Sequence, residues 1–132
     1  MPHITVEYSA NLEADLSPPR LVEQLHRAAL ATGVFPIGGL RTRAERRDVF
    51  MVADGDPENA FVAVIARIGQ GRDVETRKRV AAELMRVLER ETAAAFHTRG
   101  LGLTVEVAEI DNTTSLKTNN LHERMKNKEA AA

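Results

Sequence analysis

The chain has no cysteine, no tryptophan, one tyrosine and only three serines, at positions 9, 17 and 115. Without cysteine there is no disulfide, thiol nucleophile, iron–sulfur cluster or thiolate zinc site. None of the serines lies in a Gly-x-Ser-x-Gly turn, the setting of a hydrolase nucleophile. Charge of one sign is lacking too. The 18 Lys and Arg face 19 Asp and Glu, a net charge of −1, whereas a nucleic-acid binder carries a basic excess. Four Phe and one Tyr also offer few platforms for base stacking. No apolar run approaches the ~18 residues of a membrane span. The opening Met1-Pro2-His3-Ile4-Thr5-Val6-Glu7 has no basic stretch leading into an apolar one, so no secretory signal and a cytoplasmic address are expected. His3, His26, His97 and His122 show no His-x-x-x-His spacing, and no metal site is expected. Asp54-Gly55-Asp56-Pro57-Glu58-Asn59 lacks the glycine and terminal glutamate of a calcium loop and reads as a solvated acidic turn.

What remains is an ordinary globular composition, 43% hydrophobic and 28% charged over 132 residues. One domain is expected over residues 1–125, with 126–132 a frayed tail. His3 to Tyr8 alternates Ile4, Val6 and Tyr8 with polar residues, a strand. Ser17-Pro18-Pro19 opens a helix with Leu21, Val22, Leu25, Ala28 and Ala29 on one face, closed at Gly33. Arg41 to Arg47, running into Val49-Phe50-Met51-Val52, reads as one long or bent strand or a short hairpin. Phe61 to Ile68 is the most apolar strand and belongs at the centre. Asp73 caps a long helix, Val74 to His97, that turns Val80, Leu84, Val87, Leu88 and Ala95 inward. Leu101 to Ile110 alternates as a half-buried strand, and Leu121 to Met125 reads as a short helix.

Residues 2–54 and 60–111 share one order of elements: strand, turn, helix, strand. Each is a βαβ unit with its two strands parallel. The fold class is therefore α/β, an α+β-type sandwich. Tandem βαβ units form a four-stranded sheet with two helices on one face. The uncovered face, if apolar, needs a partner, so an oligomer is expected.

Three features offer chemistry. Pro2 opens the first strand directly. Removal of Met1, usual before a small residue, leaves a secondary amine with a direction fixed by the ring. An α-amino group titrates near ~7.7–8.0, and burial or neighbouring cations lower that value, so Pro2 suits a general base near neutral pH. The plainer reading is a Met-Pro start that only loses its Met. Arg41, Arg43, Arg46 and Arg47 crowd four cations into seven residues. Arg41 and Arg43 share a face in extended chain, fit either to grip a dicarboxylate or to keep an edge strand soluble. Gly69-Gln70-Gly71-Arg72 precedes a helix start, where backbone N–H groups and a guanidinium suit a carboxylate or phosphate. A dinucleotide fingerprint fails because Val74 stands where its third glycine belongs. A bland glycine turn with a solvated Arg is the alternative. Arg67 could join the same anion site, and Phe35 and Phe50 are candidates for its wall.

Several blocks occur in series: Met1 to Glu7, Ala31-Thr32-Gly33-Val34-Phe35-Pro36-Ile37-Gly38-Gly39-Leu40-Arg41-Thr42-Arg43, Met51 to Gly55, Ile68 to Arg72, and Leu116-Lys117-Thr118-Asn119-Asn120-Leu121-His122. Together they resemble the 5-carboxymethyl-2-hydroxymuconate isomerase family of the tautomerase superfamily. The second half alone is similar to the short chain of 4-oxalocrotonate tautomerases. The resemblance implies a homotrimer and an N-terminal proline base, matched by Pro2. It also implies arginines that hold substrate carboxylates and polarise the 2-oxo group, matched by Arg72 and Arg41, with Arg43 a second substrate-binding candidate beside Phe35. It implies no cofactor, a small anionic carboxylate substrate, and a place in aromatic breakdown through homoprotocatechuate. Asn11-Leu12 stand roughly where the second half has Gly71-Arg72, and the second half begins at Ala60-Phe61, an internal amide. A site at the junction of halves, or of subunits, would unite Pro2 with Arg72. The competing expectation is a trimeric module that binds an anionic metabolite without turnover.

Overall fold

The computed structural model describes all of residues 1–132. Strand β1 (His3–Ser9) leads through a short 3-10 turn into helix α1 (Pro18–Ala31) and strand β2 (Arg41–Arg47). The second unit is β3 (Ala60–Gly69), α2 (Val74–Glu91), a short α3 (Ala93–Thr98) and β4 (Leu101–Ile110), and α4 (Leu121–Ala131) ends the chain. The sheet order is β2-β1-β3-β4. The strands within each unit pair in parallel, and the units meet through antiparallel pairing of β1 with β3. This is the tandem βαβ sheet expected from the order of elements.

Local chemistry sets the boundaries. Ser17 accepts a hydrogen bond from the Arg20 N–H at 3.4 Å, with proline in the first turn of α1. Gly33, just past the helix, adopts φ +74°, where a side chain is strained. The Asp73 carboxylate accepts from the Thr76 N–H at 2.8 Å and starts α2. Ile4, Val6 and Tyr8 of β1 and Val62, Val64, Ala66 and Ile68 of β3 are buried on one sheet face. They pack with Leu21, Leu25 and Ala29 of α1 and Val80, Leu84, Val87 and Leu88 of α2. Both long helices thus cover the same face.

The uncovered face is not uniformly apolar. By register it presents Phe61, Ala63 and Ile65 as a central strip, with His3, Arg41 and Arg67 side by side at one end. No helix is long and apolar enough to cross a membrane.

Three expectations are corrected. The helix expected to run unbroken from Val74 to His97 divides at Thr92. The buried Thr92 hydroxyl donates to the Leu88 carbonyl at 2.7 Å, a back-bond that bends helices. The Arg-rich strand stops at Arg47 and does not continue through Val52. Val49 and Met51 are almost wholly exposed, while Phe50 folds back edge-on to Phe61, 6.2 Å between centroids. Helix α4 does not end at Met125 but continues through Ala131, across most of the tail expected to fray. Lys, Glu and Ala in this stretch are good helix formers with no breaker among them.

At the end of the sheet where β1 finishes and β3 begins, Asn11 acts as a staple. Its amide donates to the Asn59 carbonyl at 2.8 Å and the Pro57 carbonyl at 3.0 Å, and its oxygen accepts from the Ser9 hydroxyl at 2.7 Å. The Ser9 oxygen in turn accepts from the Phe61 N–H at 3.0 Å. Asn11→Ala removes three bonds at one end of the β1–β3 seam. We expect it to lower unfolding free energy by about 1–3 kcal/mol, read as a lower urea midpoint with an unchanged slope.

Candidate functional site

The opposite end of the β1–β3 seam is built differently. The antiparallel register sets His3 opposite Arg67. The start of β1 therefore lies beside the end of β3 and the Gly69–Arg72 turn. Pro2 is buried although it precedes the first strand. Its carbonyl accepts from the Arg41 N–H at 3.1 Å, which ties it to β2 as well. A Cβ on Gly39 would stand 3.4 Å from the Pro2 Cδ, so glycine lets this turn lie against the proline ring.

Two guanidiniums are anchored around this point. Arg72 donates through Nη1 to the Gly69 carbonyl at 3.1 Å and through Nη2 to the Val34 carbonyl at 3.2 Å. Its Cζ lies 5.5 Å from the centroid of the Phe35 ring, a cation–π contact. Arg41 donates through Nη1 to the Gly39 carbonyl at 2.7 Å. Each keeps several of its five N–H donors for something else.

The chain's amino nitrogen, on Met1, is held below its ordinary 8.0, first by partial burial and then by Lys117, with Arg41 and Arg72 adding to it. His3 is pushed below 6.5 by burial and by Arg43, Arg41, the amino terminus and Arg67. The Arg43 Nη1 donates to His3 Nδ1 at 3.2 Å. Both shifts have one sign. The unfolded chain binds more protons, so their contribution to stability is present above the ordinary values and lost as pH falls through the lowered ones.

No carboxylate lies within 4.0 Å of Arg41, Arg43, Arg67, Arg72 or Lys117. The other half of the arginine cluster is spent on surface ion pairs, Arg46 with Glu13 and Asp48, and Arg47 with Glu7 and Glu45. The two readings of that cluster thus divide along it.

Pro2, Arg41 and Arg72 come together within one chain, at the junction of its halves. Arg43 lies further along β2, on the uncovered face, where it meets His3. Phe35 is buried beneath Arg72 and serves as its platform. Phe50 belongs to the far end: its partner Phe61 is six residues from Arg67 along β3, about 20 Å in extended chain. A groove of about 480 Å³ between α2, α3 and β4, lined by Met85, Glu89, Ala93, Phe96, His97 and Leu103, contains none of these residues. No three His, Asp or Glu side chains cluster so as to hold a metal ion.

Sequence reasoning missed the residues of the C-terminal segment. Asn119 donates to the Gly38 carbonyl at 2.9 Å, and a Cβ on Gly38 would stand 2.8 Å from the backbone nitrogen of His122. In sequence the segment is a polar tail, and only its contribution to the family resemblance set it apart.

The chain matches the family model for 5-carboxymethyl-2-hydroxymuconate isomerase over residues 2–125. It belongs to that family. It is 34% identical over 122 residues to the 5-carboxymethyl-2-hydroxymuconate Delta-isomerase of Escherichia coli, covering 92% of this chain and 97% of that one. Among solved structures, a 5-carboxymethyl-2-hydroxymuconate isomerase from Deinococcus radiodurans R1 superposes with a TM-score of 0.87 at 39% identity, over 94% of this chain and 93% of the other. A fused 4-OT protein described as a symmetric trimer shares the fold at a TM-score of 0.66 and 16% identity, over 92% of this chain and 96% of that one. The isomerase family accounts for the series of blocks that runs from Pro2 to His122.

The geometry makes a direct prediction for this end of the sheet. In protein that retains Met1, an NMR titration of the amino terminus will give a value below 8.0, and Arg72→Gln will move it upward. A terminus that titrates at or above 8.0 would contradict the cation cluster.

Proposed function

We propose that the protein isomerises 5-carboxymethyl-2-hydroxymuconate or a close unsaturated 2-hydroxy acid, with Pro2 as general base once Met1 is removed. The carrying observation is the group of unpaired cations at the amino terminus. Arg41 and Arg72 both lower the proton affinity of the Met1 amino nitrogen, one residue from Pro2, and leave donors free for an anion. The names of the relatives support the substrate class.

The reaction rearranges the molecule without net gain or loss. Neutral Pro2 nitrogen takes the proton from the enol oxygen or an allylic carbon. The charge left behind spreads along the conjugated system to the 2-oxygen, where a guanidinium stabilises it. The same nitrogen then returns the proton at another carbon, giving the 2-oxo isomer. The second guanidinium holds a substrate carboxylate and fixes the transfer distance. Backbone carbonyls already orient both arginines, so little reorganisation accompanies binding. The buried, ring-constrained Pro2 has the fixed direction that a frayed terminus lacks.

The metabolic setting we assign is aromatic breakdown, and the assembly is a homotrimer packed through the uncovered sheet face. The strip of Phe61, Ala63 and Ile65 supplies its apolar part. Light scattering on the purified protein should give three times the 14.5 kDa chain mass; a monomer mass would refute the assembly.

Mass spectrometry should find Pro2 as the first residue. Pro2→Ala should lower kcat/KM about 10²–10⁴-fold, the usual range for a positioned base. Arg72→Ala should lower it about 10²–10³-fold, as for a lost oxyanion donor. Unchanged turnover in Pro2→Ala would rule out the base role, and would leave an anion-binding module as the reading.

A further inference from the structure

The sheet ends in two edge strands of opposite charge. β2 carries four Arg and one Glu, and β4 carries two Glu and no cation. They are the outer strands of the order β2-β1-β3-β4, so each leaves one side of its backbone open to another chain.

Most of these charges are used within the chain. Arg46 and Arg47 pair with acids, and Glu109 pairs with Arg77 of α2 at 3.8 Å. Arg41 is tied to the Gly39 carbonyl beside Pro2. Two exposed charges are left over. Arg43 meets no carboxylate, and Glu106 no cation, within 4.0 Å. The bond from Arg43 Nη1 to His3 occupies one donor of five.

The register places the two in one row. Arg43 pairs with Thr5, Thr5 with Ile65, and Ile65 with Glu106. All four belong to the uncovered face, at one height along the strands. Yet Arg43 and Glu106 are three strand spacings apart, about 14 Å, and do not meet within one chain. A second feature runs the same way. Just past β2, Val49 and Met51 are almost wholly exposed. Beside β4, the groove that includes Met85 and Leu103 exposes Phe96. Leu103 is level with Arg46 through Val62 and Tyr8. An apolar loop and an apolar groove thus also stand at one end of the sheet, on opposite edges.

We propose that the β2 edge of one subunit seats against the β4 edge of the next. Arg43 then meets Glu106 of the partner subunit, and the loop carrying Val49 and Met51 enters the partner's groove. This rests on the trimer reading above and names its surfaces. Like edges repel: two β2 edges bring Arg to Arg, and two β4 edges bring Glu to Glu, which disfavours a two-fold dimer. Unlike edges attract, and a contact between unlike surfaces repeats around a ring. A ring axis along the strands keeps each row level. β2 then runs antiparallel to the partner's β4, the relation β1 already has to β3.

Sedimentation equilibrium on the full chain with its native terminus tests this by charge reversal. Arg43→Glu and Glu106→Arg each set like charges at every interface. Each should raise the concentration for half-dissociation roughly tenfold or more, most strongly at low salt. The milder Arg43→Gln and Glu106→Gln should act in the same direction by less. Arg43→Glu combined with Glu106→Arg restores opposite charges and should restore assembly, a rescue that two residues so far apart in one chain do not provide for each other. Met51→Asp should also weaken assembly, and the double reversal should not repair it. Single reversals that stay fully assembled, or a double reversal that dissociates as readily as either single, would overturn the assignment. A trimer indifferent to both reversals leaves the trimer reading standing without these surfaces, whereas a monomer mass for the unaltered protein removes both. No turnover is read, so the role of Pro2 is judged separately.

Discussion

The antiparallel seam between β1 and β3 is the constraint on which the rest of the structure depends. Each βαβ unit by itself would place its strand start far from its own helix-start turn. Joining the units head to tail sets the start of one inner strand against the finish of the other. The seam therefore has two ends, each bringing together a strand start from one half and a post-strand turn from the other. At one end the strand start is Pro2 and the turn carries Arg72. At the other the strand start is Ala60 and the turn carries Asn11. The first collects unpaired cations around an amine; the second closes itself with neutral hydrogen bonds.

Electrostatics follows from that placement. Cations without acids nearby destabilise one another and favour the neutral form of a neighbouring amine. The cost is offset by orienting bonds to the carbonyls of Gly39, Gly69 and Val34. It is relieved further when an anion arrives. Arg46 and Arg47, a few residues along the same strand, are neutralised by acids from β1, from β2 itself and from the loops beside them. Those exposed pairs contribute little to stability, but they keep a highly charged edge strand discrete.

The fold was legible in the residues because its signals are local. Alternation in β1, β3 and β4, the Ser17 and Asp73 caps and the inward stripe of α2 each need only neighbouring side chains. The departures occurred where tertiary contacts decide. Thr92 breaks a helix because its hydroxyl is buried. Val49 to Val52 has strand propensity but gains no strand partner, and Phe50 is drawn to Phe61. The site was legible in part. Pro2, Arg41 and Arg72, the residues we propose for the site, were singled out by position and motif, and Phe35, named as a substrate-binding candidate, packs against Arg72. The C-terminal segment had no local signal, since only the fold brings Asn119 back to Gly38.

The Asn11 staple bears on how a duplicated fold divides its labour. Splitting the chain within the loop from Asp48 to Asn59 would free a second amine near Ala60, in a position related to that of Pro2. There it would face Asn11, whose amide is already committed to two carbonyls, and the guanidinium of Arg99, already paired with Asp15. The symmetry of the scaffold is thus deeper than the symmetry of its chemistry: by the geometry of the seam, a first-half chain paired with its own copy would set Pro2 against Asn11, and only a second-half pair would set a strand start against Arg72.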